Sequence, residues 1–227
     1  GVLYYQRAAE TRALYYQGYN LARMIIDQDL KTNDPSKRAV VLDIDETALD
    51  NSPYEAQCIL GAITYPERWD EWVLSAGAAP TPGAVEFLTY AAGKGYAIYY
   101  VSNRKEKFRE ATLKNLAEKG FPMATSDHLL LKTDNNSKET RRQQVMGRFS
   151  IALLLGDNLA DFSALFDACK NPDERTLATD QLKQEFGQRF VIFPNSMYGD
   201  WETILYPDPG DRPEIKDSIR KANLKGF

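Results

Sequence analysis

The chain has 227 residues, 43% hydrophobic and 26% charged, with a formal net charge of −4: enough for one sizeable core plus an appendage, in an ordinary globular composition. The acidic balance argues against a nucleic-acid partner, which calls for a basic face, but not against a phosphorylated substrate whose charge a bound cation can meet. One histidine, His128, and two cysteines, Cys58 and Cys169, rule out a His- or Cys-based metal centre.

Residues 3–29 carry Leu3, Tyr4, Leu14, Tyr15, Tyr19, Leu21, Met24 and Ile25 among polar residues without proline, which predicts one long amphipathic helix or two. Thr32-Asn-Asp-Pro-Ser36 breaks it. Ala39–Asp43 follows as an uninterrupted apolar strand. Residues 50–82, with Pro53, Pro66, Pro80, Pro82, Trp69 and Trp72, predict an irregular, partly helical insertion. A helix then runs from Thr81-Pro-Gly83 to about Lys94, and Ala97–Val101 forms a second buried strand ending in Ser102-Asn103-Arg104. A helix over about 108–119 leads to a short apolar stretch at His128–Lys132. A polar loop, a basic helix from about Lys138 and the strand Ile151–Leu155 come next, the last ending in Gly156-Asp157-Asn158. Phe190–Phe193 is a further apolar run. The tail from Pro207 reads as a peripheral helix or a partly disordered end.

Short apolar strands alternating with helices predict an α/β fold: a three-layer, Rossmann-like parallel sheet with helices on both faces, plus a smaller mainly helical domain. The expected division is 1–36 as a helical segment of the small domain, 37–50 and 80–206 as the α/β core, 51–79 as an insertion into the small domain or a cap, and 207–227 as a tail. No stretch approaches the roughly 20 apolar residues of a membrane span, and Gly1-Val2-Leu3 leads into the amphipathic segment with no signal peptide between. Cys58 and Cys169 read as two thiols or one disulfide.

Three strand ends present polar groups: Asp43 with Asp45, Ser102 with Asn103, and Asp157 with Asp161. In an open parallel sheet these ends converge on the binding crevice. Two residues apart on extended chain, Asp43 and Asp45 share one side. A lone Asp-x-Asp is also an ordinary acidic turn; three polar ends after three apolar strands point to a site. Asp43, Asp157 and Asp161 make an all-oxygen, hard-ligand set of the kind that suits Mg²⁺. Lys138, at a helix start after a polar loop, reads in isolation as a solvated surface residue.

Together, Asp43-Ile-Asp45-Glu46-Thr47, Ser102, Lys138 and Gly156-Asp157-x-x-x-Asp161 resemble the four motifs of the haloacid dehalogenase superfamily. Val41–Tyr54, Pro82–Phe87, Val101–Lys105 and Gly156–Phe162 resemble, more narrowly, the bacterial class C acid phosphatases, which include lipoprotein e. The likeness runs from about Arg38 to Glu202. It departs at Asp134-Asn-Asn-Ser137, where the family carries a lysine, and at Glu55–Tyr65, which looks individual and bears on the pocket mouth.

The resemblance implies a Mg²⁺-dependent phosphomonoesterase working through a phospho-aspartyl intermediate. Asp43 is then nucleophile and metal ligand, with the Asp45 backbone carbonyl, Asp157 and Asp161 completing the metal set. Asp45 is the general acid and base. Ser102, Asn103 and Lys138 bind the phosphoryl group, while Trp69 and Tyr198 flank the ring of a nucleoside 5′-monophosphate, nicotinamide mononucleotide or aryl phosphate. Trp72 reads as a packing residue. The likeness also implies an extracytoplasmic protein, outer-membrane-anchored or periplasmic, with an N-terminal lipid absent from this chain. The amphipathic N-terminal segment offers a homodimer face. A receiver-like phospho-accepting signalling domain is the competing reading, although a receiver's accepting Asp follows a later strand.

Overall fold

Apolar runs with no polar interruption are stable where both faces of a strand are covered, and here they become the centre of one sheet. The computed structural model describes residues 1–208, 210 and 212–226. Its strands are β1 (Arg38–Leu42), β2 (Leu49–Asp50), β3 (Ala79–Pro80), β4 (Ala97–Lys105), β5 (Leu129–Lys132), β6 (Ser150–Gly156) and β7 (Phe190–Ile192). Five of them form a parallel sheet in the order β5-β4-β1-β6-β7. β1 lies in the middle, between β4 and β6, so the crevice opens beyond the C-terminal ends of these three strands.

The period of two is visible in the packing. Val40, Leu42, Ile98, Tyr100, Leu153 and Leu155 face one core cluster, and Ala39, Val41, Tyr99, Val101 and Leu154 face the other. Burying such a Leu or Ile side chain contributes about 1.5–3 kcal/mol.

The helices are α1 (Val2–Arg7), α2 (Ala9–Asp29), α3 (Ser52–Gly61), α4 (Trp69–Ser75), α5 (Ala84–Gly93), α6 (Arg109–Glu118), α7 (Glu139–Met146), α8 (Pro172–Gln181), α9 (Asp200–Thr203) and α10 (Pro213–Ala222). Ala22 and Ile26 of α2, Phe87, Leu88 and Ala91 of α5 and Leu116 of α6 cover the first face; Val145 of α7, with Phe162, covers the second. The N-terminal segment is two helices broken at Ala8, whose backbone is extended. Its second helix, assigned from sequence to the small domain, buries Tyr15, Tyr19, Ala22 and Ile26 in the main core. Close approach of α2 requires Gly18, where a Cβ would collide with the Phe193 ring.

The 51–79 insertion is more regular than its prolines suggest, since it contains α3 and α4. The antiparallel pair β2–β3, Leu49 opposite Pro80 and Asp50 opposite Ala79, closes its base. The tail contains α10 among its described residues; Pro209, Asp211 and Phe227, which also belong to the expected tail, lie outside them. Among the described residues Cys58 and Cys169 are free thiols, and no helix is long and apolar enough to cross a membrane.

Candidate active site

The ladder of β1 continues one residue past the strand, the Asp43 N–H donating to Leu155 O at 3.0 Å. Ile44 then turns into the core, fully buried, which leaves Asp43 and Asp45 on the crevice side. The turn is tight. Ile44 O accepts from the amides of Ala48 and Leu49 at 2.9 and 2.8 Å, and Glu46 has a positive φ of 58°. A non-glycine residue holds that conformation only where its surroundings over-determine it. Here α1 and α2 supply the surroundings: Tyr15 Oη donates to Glu46 O at 2.5 Å, Tyr19 Oη donates to Thr47 O at 2.8 Å, and Tyr5 Oη lies 2.5 Å from Tyr15 Oη.

Alternation past the apolar part of β4 buries Ser102 and Arg104 and turns Asn103 outward. Arg104 grips Asp45, with Nε at 3.0 Å and Nη2 at 2.8 Å from Oδ1. Asn51 Nδ2 donates to the same oxygen at 2.7 Å, and Ser102 Oγ lies 3.4 Å from Oδ2. Ser102 Oγ also accepts the Arg104 amide at 3.1 Å, so the hydroxyl sits behind Asp45 and is not on the cleft wall.

Asp157 follows β6, its Oδ2 taking Asn195 Nδ2 at 2.8 Å and its Oδ1 facing Thr47 Oγ1 at 3.4 Å. Asp161 folds back over Gly156, where a Cβ would strike its carboxylate, and its Oδ2 accepts the Asn158 amide at 2.9 Å. Lys138, at the N-cap of α7, is buried; its Nζ bonds Asp43 Oδ1 and lies 2.5 Å from Asp161 Oδ1. Its neighbour Arg141 ties the C-terminal end of β4 to the loop before α7, donating to Ser102 O at 2.5 Å, Asn103 Oδ1 at 2.7 Å and Ser137 O at 2.9 Å.

Asp43, Asp157 and Asp161 place carboxylate oxygens within 4.8 Å of one another. Three acids against one lysine leave an excess of negative charge in a buried space. Burial, together with Asp161 and Asp45, pushes the Asp43 carboxyl up to about 7, although Lys138 opposes it. Burial, with the charges of Asp161 and Asp43, likewise raises Asp157 well above the usual carboxylate range. Burial works to discharge Lys138, but Asp161 and Asp43 override it and hold the ammonium above its ordinary value. A divalent cation with a taste for oxygen would relieve this excess, and the donor set fits one.

The cleft above these groups measures about 430 Å³ and is lined by Asp43, Asp45, Asn103, Lys138, Asp157 and Asp161 at its floor, among others. Tyr65, Trp69 and Tyr198 add aromatic walls, and Glu55, Asp200 and Glu202 add acids toward the mouth. Trp69 packs edge-on against Tyr54 and Tyr65, with the Arg104 guanidinium 5.9 Å from its ring. Trp72 instead gives its indole N–H to Asn51 Oδ1 at 2.8 Å, a packing role.

The structure thus brings eight of the nine sequence-predicted site residues to one cleft and sets Ser102 just behind it. Sequence reasoning missed Asn51, Arg104, Arg141 and Asn195 as site-builders. Arg104 alone carried a local signal: it falls two residues after Ser102, on the same side of an extended chain.

The family model described as "HAD superfamily, subfamily IIIB (Acid phosphatase)" matches residues 2–201. A structure of the class C acid phosphatase from Bacillus anthracis is 45% identical, with a TM-score of 0.96 over 100% of this chain and 95% of that one. A second structure, of that phosphatase with tungstate bound, is 44% identical at a TM-score of 0.94, with the same coverage. Acid phosphatase 1 of Solanum lycopersicum is 26% identical over 136 residues, 56% of this chain, and the match spans 53% of that protein's length, about half. The chain therefore belongs to subfamily IIIB of the haloacid dehalogenase (HAD) superfamily, the acid phosphatases.

Proposed function

We propose that this chain hydrolyses phosphomonoesters through a phospho-aspartyl intermediate on Asp43, with Mg²⁺ as cofactor. The observation that carries the reading is the convergence of Asp43, Asp157, Asp161 and Lys138 on one cleft floor, with Asp45 held beside them by Arg104. Tungstate, a tetrahedral oxyanion, is bound in the 44% identical relative, and this supports a phosphoryl site.

Asp43, Asp157 and Asp161 would hold the metal with the Asp45 backbone carbonyl, and when bound it supplies positive charge that lets an anionic nucleophile approach a phosphate dianion. Asp43 attacks phosphorus with a carboxylate oxygen, and the bond to the leaving oxygen breaks. Lys138 and Asn103 line the cleft and meet the phosphoryl oxygens; the Ser102 hydroxyl joins them by turning away from Asp45. Asp45 protonates the leaving alkoxide. Oδ1 takes the shorter bonds from Arg104 and Asn51, so Oδ2, with longer contacts to Arg104 Nε at 3.3 Å and Ser102 Oγ at 3.4 Å, is the oxygen left to move the proton. The same oxygen then takes a proton from the water that splits the acyl phosphate, which frees Asp43 and releases inorganic phosphate.

Trp69 and Tyr198 supply faces for a ring, so nucleoside 5′-monophosphates, nicotinamide mononucleotide and aryl phosphates are the proposed substrates. Stacking on such faces contributes about 1–3 kcal/mol per base. An extracytoplasmic location, lipid anchoring ahead of Gly1 and a homodimer are further proposals drawn from the family likeness, to be checked by cell fractionation and light scattering.

The test is a phosphomonoester panel with and without Mg²⁺, run beside Asp43→Asn and Trp69→Ala. Expected are loss of turnover in chelator, a loss on the order of 10⁴-fold in Asp43→Asn, and a greater loss for nucleotides than for glycerol phosphate in Trp69→Ala. Phosphate accumulating as a stable phosphoprotein after acetyl phosphate treatment would instead favour the receiver-like reading.

A further inference from the structure

Glu46 is fully buried one residue from Asp45 and uses both carboxylate oxygens. Oε1 accepts the Asn51 amide N–H at 2.7 Å; Oε2 accepts Asn51 Nδ2 at 3.3 Å and the Tyr198 hydroxyl. Asn51 Nδ2 simultaneously donates to Asp45 Oδ1 at 2.7 Å, and Asn51 Oδ1 is fixed by the Trp72 indole. Tyr198 lines the cleft; Glu46 does not. An unbroken chain of hydrogen bonds therefore runs from a ring on the cleft wall, through Glu46 and Asn51, to the carboxylate of Asp45.

We infer that Glu46 is a positioning residue that couples contact between the leaving group and Tyr198 to the orientation of Asp45. The inference rests on the reading of Tyr198 as a leaving-group contact and of Asp45 as the proton donor. Its physical basis is that Asn51 Nδ2 is shared between Glu46 and Asp45, so displacement of Oε2 by movement of Tyr198 alters the hydrogen bond that orients Asp45. A leaving group that seats Tyr198 then aligns the donor for its own departure, whereas a small leaving group that misses the ring gains nothing.

A buried Glu46 that merely braces the turn would affect every substrate alike. The distinguishing measurement is kcat and KM for a nucleoside 5′-monophosphate and for glycerol 2-phosphate in Tyr198→Phe, Glu46→Gln, the double variant and Tyr198→Ala. Tyr198→Phe keeps the ring and deletes the bond; Glu46→Gln keeps one acceptor oxygen where the network uses two. Each is expected to lower kcat for the nucleotide about tenfold, with KM nearly unchanged, and kcat for glycerol 2-phosphate less than about threefold. The double variant should be no worse than the single ones. Additive losses, equal losses on the two substrates, or a change confined to KM would overturn the coupling. If Glu46→Gln does not fold, Tyr198→Phe alone decides through its kcat-against-KM split. Tyr198→Ala should raise KM for the nucleotide only. If it spares that KM, the leaving-group reading falls and takes the inference with it; additivity alongside a selective Tyr198→Ala effect sinks the inference alone.

Discussion

Arg104 bonds Asp45 through two nitrogens and both carboxylate oxygens: Nε lies 3.0 Å from Oδ1 and 3.3 Å from Oδ2, and Nη2 lies 2.8 Å from Oδ1. The arginine side chain is 1% exposed and the aspartate 19%, so the pair is desolvated chiefly on the arginine side. The third guanidinium nitrogen, Nη1, reaches Thr112 Oγ1 at 3.2 Å on α6. The donor carboxylate of the proposed reaction is therefore anchored to a helix outside the cleft.

Removing one member of a buried ion pair leaves the other uncompensated, at a cost of about 3 kcal/mol or more. Arg104→Ala should lose roughly that in urea unfolding, and turnover should fall as Asp45 loses its orientation. Arg104→Ala as stable as the parent would mean that solvent already satisfies Asp45.

Burial raises Asp43 from its ordinary 3.8 to about 7. An acid whose folded value lies above its unfolded one keeps its proton longer in the native state, so folding stability falls as pH rises through that window. Metal-free protein should accordingly lose melting temperature between about pH 4 and pH 7. Mg²⁺ should restore it by mass action, by about 2.7 kcal/mol at a hundred times its dissociation constant. Asp43→Asn should flatten the pH dependence and weaken the Mg²⁺ response. A melting temperature that stays level in chelator across this range would contradict the charge-excess account of the cleft floor.

Burial and the charge of Glu202 raise Glu55 above the usual range. Glu55 lines the cleft mouth, and once ionised it places a negative charge in front of an incoming phosphate dianion. KM should then increase as Glu55 ionises, by about threefold on a screened Coulomb scale, and Glu55→Gln should flatten the rise. An unchanged KM profile in that variant would remove Glu55 from the account.

What could be read in the sequence was what short-range periodicity encodes. Val40 and Leu42 alternate with Ala39 and Val41 between two cores, and that same alternation puts Asp43 and Asp45 side by side. The order of polar strand ends then identified the cleft floor. What could not be read depended on distant partners. Asn195 bonds Asp157, Asn51 bonds Asp45, and α2 packs on Phe193, and no local pattern announces any of these pairings. The α4 helix was obscured by the prolines around it, while the 3.6-residue spacing of Trp69, Trp72 and Val73 that buries one face was too short to stand out.

The tyrosines of α1 and α2 bear on where the catalytic unit ends. Tyr15 and Tyr19 give their hydroxyls to the carbonyls of Glu46 and Thr47, and their rings lie 5.2 and 4.5 Å from that of Phe193, just after β7. The α/β core that carries every motif is thus not an excisable minimal enzyme. Cut at Pro35, it would strip donors from the backbone that turns out of Asp43 and expose the aromatic face beneath. The turn beneath the cleft floor is therefore held by helices that contribute no residue to the cleft lining.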